Sequence, residues 1–316
     1  MVAVQELQRR GSEYLSEKDA ESNIFGYNRP SSLPSSNTSI LHLNHNNLPP
    51  IMAPEKRDKR DNILRGVKGP NPVGTATFVG LRSLDVVLQY GILAKGLADP
   101  LLNALSVHPT YQTLAPAVAL GLPLKPLIIL GMAAGTTLKQ SFWITSISNE
   151  LMPTGDAVKI SVFNTLFNSL NSILSITSSA AYFTTPALND SSNVTGLSPV
   201  VLLGTFSYLL GMTLETTSEI QRKKFKDDPK NAGKPYTEGL YGLARHINYG
   251  GYVLMRGGYA LAAGGWIWGS IIGALFMADF ATRGVPVLDD YCTERYGADW
   301  VNFKKRVQYV LLPGIY

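Results

Sequence analysis

The stretch whose reading decides the fold is GLYGLARHINYGG, Gly239 to Gly251. It joins a basic amphipathic run, Gln221 to Lys226, to a Gly- and Trp-rich apolar segment, Gly250 to Phe280. Arg245, His246, Asn248 and Tyr249 therefore stand at the lip of a membrane segment. Hydrocarbon offers such groups no hydrogen bonds, so they need protein partners or a ligand.

Outward from that stretch, the 316-residue chain is 45% hydrophobic and 16% charged, against about 25% charged in an ordinary soluble protein. The mean hydropathy of +0.05 averages two regimes. Residues 1–70 are polar, with SSLPSSNTS, HNNLPP and the charge run EKRDKRD, and predict a disordered N-terminal extension. They show no apolar core of a signal peptide. Met52, just before APEKRDKRD, is an alternative start to Met1. Residues 71–316 predict an all-α, polytopic transmembrane helical bundle.

The net charge is +5, with basic residues clustered at Lys56–Lys68, Arg222–Lys226 and Lys304–Arg306. Such clusters flank membrane helices on the cytosolic side. No nucleic-acid-binding module accompanies them, so no nucleic-acid partner is expected. The lone Cys292 excludes an internal disulfide and a multi-Cys zinc site. The four histidines lack metal-ligand spacing, and no metal is expected.

The first predicted span, Thr75–Leu97, carries Arg82, Asp85 and Gln89 on one helical face. Arg82 and Asp85 are expected to pair or to line a substrate cavity. A second, Leu114–Thr137, is interrupted by Pro116, Pro123 and Pro126, and a shorter piece, Leu138–Leu151, follows it. Together they make one crossing or two. Ala157–Phe183 bears a polar stripe of Asn164, Asn168, Asn171, Ser175 and Ser178, which predicts interhelical hydrogen bonds or the wall of a substrate cavity. The loop Thr184–Ser198 holds sequons at Asn189 and Asn193 and no Lys or Arg, which places it in the lumen. Pro199–Thr217 then leads to a cytosolic QRKKFK. Gly250–Phe280 has basic flanks on both sides, so it predicts a hairpin broken at Gly264–Gly265, each arm about 21 Å long. Such a re-entrant piece survives only where protein or a cavity covers its loose backbone.

Three patches converge on the cytosolic side: Glu215–Lys226, Gly239–Gly251 and Leu288–Tyr316. They offer cations for phosphates, carboxylates for ribose hydroxyls, and Asn and aromatic rings for a planar base. No GxGxxG follows a strand, so this is not a Rossmann site.

These residues resemble a family. GLYGLARHINYGG, the preceding E-x3-E-x-Q-R-x2-F-K and the closing RYGADWxxFxxRVxYxLLPGIY are similar to the C-terminal domain of steroid 5-alpha-reductase-like proteins, nearest the DUF1295 branch. The ending, with Cys292, Gly297, Pro313 and Tyr316, also resembles sterol C-14 and C-24 reductases, and LKQSFW (Leu138–Trp143) fits the same branch. The similarity covers Leu138 to Tyr316 and is strongest over 199–316.

The resemblance implies an endoplasmic reticulum protein with a cytosolic C-terminus and a cytosol-facing NADPH pocket. Its implied activity is reduction of a C=C bond in a steroid, sterol or other isoprenoid, a lipid-like substrate taken from the membrane. Carried onto this chain, it marks Glu219, Arg222, Arg245, His246, Asn248, Tyr249, Asp289, Tyr296, Trp300 and Tyr309 as cofactor-binding. The substrate cavity is assigned Asp85, Asn164, Asn168 and Asn171. Tyr252 and Tyr249 are the expected proton donors.

Two departures stand out: Ile247 replaces the family's Pro, and Tyr252 replaces its acidic residue, with Arg256 at a common Trp position. The same superfamily contains S-adenosylmethionine-dependent lipid and isoprenylcysteine methyltransferases, which remain the alternative. A non-catalytic lipid-binding protein of the same fold is the third reading.

Overall fold

The computed structural model describes residue 60 and residues 66–107, 109, 117–177 and 197–316. Long apolar runs become helices here because the backbone in lipid must satisfy its own polar groups. Helix α1 (Pro72–Lys95) is capped by the Asn71 side chain, which accepts from Gly74 N. A short α2 (Asp99–Ala104) follows. Helix α3 (Leu124–Phe142) runs into a π-helical turn, Trp143–Ile147. The next three are α4 (Thr154–Ile176), α5 (Pro199–Asp227) and α6 (Ile247–Asp279). A second π turn, Phe280–Gly284, leads to α7 (Val285–Tyr296) and α8 (Ala298–Arg306). Among the described residues there is no strand, only isolated bridges such as Lys68 to Glu150.

Among the described residues four helical runs are long and apolar enough to cross a membrane: Pro72–Lys95, Leu124–Ile147, Pro199–Asp227 and Ile247–Tyr296. The chain is a multi-pass membrane protein. The two pieces expected over 114–151 contain one long helix. Pro123 sits at its N-cap and Pro126 in its first turn, where a missing N–H costs nothing. The span expected at Ala157–Phe183 is α4, which ends at Ile176 and is not among the four apolar runs. Its asparagine stripe is the physical reason. Helix α5 continues beyond the expected Thr217 through the basic run to Asp227. Residues 1–59, 61–65 and 178–196, with Ser178, Asn189 and Asn193, lie outside the described residues.

The hairpin expected in Gly250–Phe280 is present. Gly265 leaves helical geometry (φ 80°, ψ −169°), a region a side chain disfavours. The arms, 247–264 and 266–279, then run back along each other. A methyl built on Gly269 would lie 2.8 Å from Leu261 Cβ, and one on Gly257 3.4 Å from Gly273 Cα. At 1.5 Å per residue the second arm is about 21 Å long, short of a hydrocarbon core of about 30 Å.

Helices α5 and α6 meet backbone to backbone. A Cβ on Gly204 would lie 2.5 Å from Ala262 N, and one on Gly211 2.3 Å from Met255 N. From the other side, a Cβ on Gly258 would lie 2.5 Å from Tyr208 N, and one on Gly251 2.7 Å from Glu215 N. This is the small-residue interface by which membrane helices approach closely.

Helices α1, α3, α4 and α6 share a buried polar network. Arg82 donates to Asp85 (2.6 Å) and to Gln140 Oε1 (2.8 Å). Gln89 and Asn168 each donate to Asp85 (both 2.7 Å), and Gln140 Nε2 donates to Asn164 Oδ1 (3.0 Å). Arg256 joins from α6 through Asn164 and Asn168. Arg82, Asp85 and Arg256 are 0%, 2% and 2% exposed, so Asp85 balances one of two buried cations. Asn171 lies further along the stripe and accepts from Trp268 Nε1 on the second arm (2.7 Å). The stripe therefore docks both arms of α6.

Two measurements on detergent-purified protein check this packing. Gly211→Val should lower unfolding stability by about 3 kcal/mol, because neighbouring backbone cannot yield. Gly131→Ala, with no neighbour within 4 Å of the added methyl, should stay within about 1 kcal/mol. Asp85→Asn should cost about 3–5 kcal/mol, the penalty for stranding a buried partner charge. A midpoint unchanged by Asp85→Asn would show the network to be solvated.

Candidate functional site

The α5–α6 seam continues toward the polar end of α5, where it sets Glu219 against the start of α6. Glu219 is 6% exposed. Its carboxylate accepts from Arg222 Nη2 (2.7 Å), Asn248 Nδ2 (2.8 Å) and Tyr241 OH (3.2 Å). Burial first, and the adjacent Glu219 carboxylate second, hold the Tyr241 phenol well above the usual tyrosine range. It therefore stays a donor. Gln221 fixes the connecting loop by accepting from Leu240 N (3.0 Å). Asn248 Oδ1 is buried without a hydrogen-bond partner, an acceptor left for a donor from outside the chain.

Beside this carboxylate lies an aromatic stack. Tyr249 is sandwiched between His246 (5.7 Å, 15°) and Phe280 (4.4 Å, 14°). His246 also faces Trp300 at 6.1 Å. Tyr252 stands one turn further into α6 and meets Phe280 edge-on (5.6 Å). Arg256 Nε donates to its hydroxyl (3.0 Å). Phe280 thus links the stack to Tyr252.

A cationic rim surrounds Tyr296. Lys226 Nζ donates to its hydroxyl (3.0 Å) and lies 4.7 Å from its ring centre, while the Arg295 guanidinium lies 5.8 Å from the same ring. Arg222 is one turn before Lys226 on α5, and its side chain is 46% exposed despite the Glu219 pair. It can still reach a ligand.

The chain beyond α8 closes the structure from below. Arg245 donates from Nη1 to Val307 O (2.7 Å) and Gln308 O (3.1 Å). Arg245 N and His246 N bond Tyr309 O and Val310 O (3.0 and 2.8 Å). Asp289 accepts from Trp300 Nε1 (2.7 Å) and Lys304 Nζ (2.9 Å), joining α7 to α8. Trp300 is buried, whereas the Tyr309 side chain is 47% exposed.

Of the ten residues marked as cofactor-binding, the structure gathers Glu219, Arg222 and Asn248 on one carboxylate. It brings His246, Tyr249 and Trp300 into the adjoining rings and Tyr296 into the rim. Arg245 is committed to holding the closing segment and Asp289 to joining α7 to α8, and the Tyr309 carbonyl accepts from Arg245 N. The cavity residues Asp85, Asn164 and Asn168 lie in the polar network, deeper along α6. Tyr241, Gln221, Lys226 and Arg256 escape assignment from the sequence. The signal for Tyr241 and Gln221 lay in motifs already quoted, but their partners are set only by the fold.

The family described as "protein of unknown function (DUF1295)" matches residues 152–307. The chain is 34% identical over 242 residues to a probable O-methyltransferase of Ustilaginoidea virens, covering 75% of this chain and 84% of that protein. It is 28% identical over 156 residues to a Delta(14)-sterol reductase of Gibberella zeae, covering 34% of this chain and 32% of the other. It is 33% identical over 112 residues to that of Schizosaccharomyces pombe, covering 30% and 26%. The chain thus spans about a third or less of these two reductases and most of the first relative. It is a membrane protein of the DUF1295 family, related to the sterol reductases.

Proposed function

We infer that the protein is an NADPH-dependent reductase of a C=C bond in a sterol, steroid or other isoprenoid lipid. The observation that carries this reading is the cationic rim of Arg222, Lys226 and Arg295 around Tyr296, next to the Glu219 carboxylate and the stacked rings. Phosphates need such cations, and S-adenosylmethionine has no phosphate to offer them. The orphan Asn248 Oδ1 fits an amide N–H of the same cofactor.

Arg222, Lys226, Arg295 and Asn248 would hold NADPH, which when bound would supply a hydride to one carbon of an activated double bond. The Tyr252 phenol, one turn along α6 from Asn248, gives its proton to the other carbon. Arg256 donates to the phenol oxygen, which leaves the phenol hydrogen aimed elsewhere and stabilises the phenolate that remains. The lipid reaches Tyr252 from the membrane side. An endoplasmic reticulum location with the C-terminus in the cytosol, where NADPH is held, belongs to the same reading, as does a polar N-terminal extension over 1–70.

A second reading is methyl transfer from S-adenosylmethionine to an oxygen, favoured by the similarity to the probable O-methyltransferase over 75% of this chain. Ligand-induced stabilisation separates the two. At a hundred times Kd, NADPH should stabilise the purified protein by about 2.7 kcal/mol, and S-adenosylmethionine should leave it unchanged. The reverse result establishes the second reading in place of the first. Arg222→Ala should weaken NADPH about tenfold, or ~1.4 kcal/mol.

Tyr252→Phe should keep the NADPH-induced shift while NADPH consumption with a conjugated sterol diene falls about 10²-fold or more. Undiminished consumption by that variant would remove Tyr252 from the chemistry.

A further inference from the structure

A second polar pair lies one turn before Glu219, on the same face of α5. Lys139, near the end of α3, donates to Glu215 Oε1 on α5. The pair is nearly enclosed, with side-chain exposures of 8% and 17%. Glu215 Oε2 is buried without a hydrogen-bond partner. An ammonium has three N–H donors, and one of Lys139's is spent on Glu215. A donor and an unsatisfied acceptor thus sit side by side.

They line a small cleft of about 10 Å³, room for one hydroxyl-sized group, together with Phe142, Trp143, Ile147, Thr216 and Glu219. Three of those walls are apolar, and they come from the end of α3 and its π turn. Single π turns are frequent at functional sites because they swing side chains out of helical register. Phe142 is 41% exposed and Leu138, beside Lys139, 70% exposed, so the cleft borders the lipid-facing surface. Glu219, the cofactor-side carboxylate, is also among the residues lining the cleft. Lys139 Nζ also lies 5.6 Å from the Tyr252 ring centre. The cleft therefore lies between the lipid-facing surface and the Glu219 carboxylate.

We propose that this cleft binds the hydroxyl end of an otherwise apolar ligand, the hydroxyl donating to Glu215 Oε2 and accepting from Lys139 Nζ. A ketone or an ether can accept from Lys139 but leaves Oε2 unsatisfied. That asymmetry is what makes a site reject an analogue lacking its O–H. An alcohol or phenol on an apolar skeleton is the class selected. The inference rests on the proposed function only for the presence of a lipid substrate, and a hydroxyl is equally required by the methyl-transfer reading.

The test is equilibrium binding to the detergent-purified full chain of two matched pairs: ergosterol and its 3-O-methyl ether, and 4-nonylphenol and 4-nonylanisole. At least one alcohol should bind about tenfold more tightly than its ether. The double variant Lys139→Met/Glu215→Met removes both charges together, so neither is stranded. In it the alcohol and the ether should bind alike. The NADPH-induced stabilisation, read on the same samples, should persist in the double variant. Its loss in wild type would overturn the cofactor reading and leave this one standing. Equal affinities within both pairs, no binding of either alcohol, or a preference that survives in the double variant overturns the hydroxyl site.

Discussion

The contact on which the rest depends is the absence of side chains between α5 and α6. Gly204 and Gly211 on one helix and Gly251 and Gly258 on the other are spaced by seven, so each pair returns to nearly the same face after two turns. Any Cβ there would fall within 2.7 Å of opposing backbone. Lipid tails are as apolar as leucine, so burial of apolar surface cannot draw two such helices together. Close van der Waals contact does. The closeness has a chemical consequence. One turn past the seam Glu219 is within 2.8 Å of Asn248, a distance that bulkier residues at 211 and 251 would open. The packing device and the candidate site are the same feature at different depths.

The buried charges follow a different logic. Arg82 with Asp85 and Arg256 with its asparagines cross-link α1, α3, α4 and α6. A buried ion pair contributes little net stability, because desolvation offsets its Coulomb energy. In a membrane its stronger effect is on register. Sliding α4 by one residue would turn Asn164 and Asn168 away from Arg256 and leave the guanidinium in hydrocarbon. The asparagine stripe therefore aligns α6 along α4, and Trp268 on Asn171 repeats the device on the second arm.

Much of this was legible in the sequence where one helix period decided it. Arg82, Asp85 and Gln89 share a face because of 3.6-residue geometry alone, and so does the asparagine stripe. The Gly265 break followed from counting basic flanks on both sides of one apolar run. The helix Leu124–Phe142 was less legible, because prolines read as breaks when their position relative to the helix start is unknown. Pro123 and Pro126 interrupt nothing, since they precede the first intrahelical N–H. Within the site, residue types were readable and their pairings were not. Arg245 looked like a phosphate ligand beside a motif. Its two bonds to the carbonyls of Val307 and Gln308 depend on where a segment some 60 residues later returns.

The departures from the family's motif make sense as two separate events. Ile247 occupies the first position of α6, where proline's missing N–H would cost little. It is 1% exposed, among the rings and apolar side chains around Trp300. Exchanging Pro for Ile there alters packing and leaves the chemistry alone. Tyr252 and Arg256 form one unit. They lie four residues apart, on the same face, joined by a 3.0 Å hydrogen bond. A carboxylate at 252 would neutralise a neighbouring guanidinium, and a Trp at 256 would supply no charge at all. With Tyr and Arg, a phenol hydroxyl instead stands beside a cation that Asp85 does not balance. An excess positive charge favours negative charge developing nearby, whether on the phenol or on a ligand oxygen. In the proposed reductase reading, the pair moves the proton donor from a carboxyl group to a phenol and brings the stabilising charge with it.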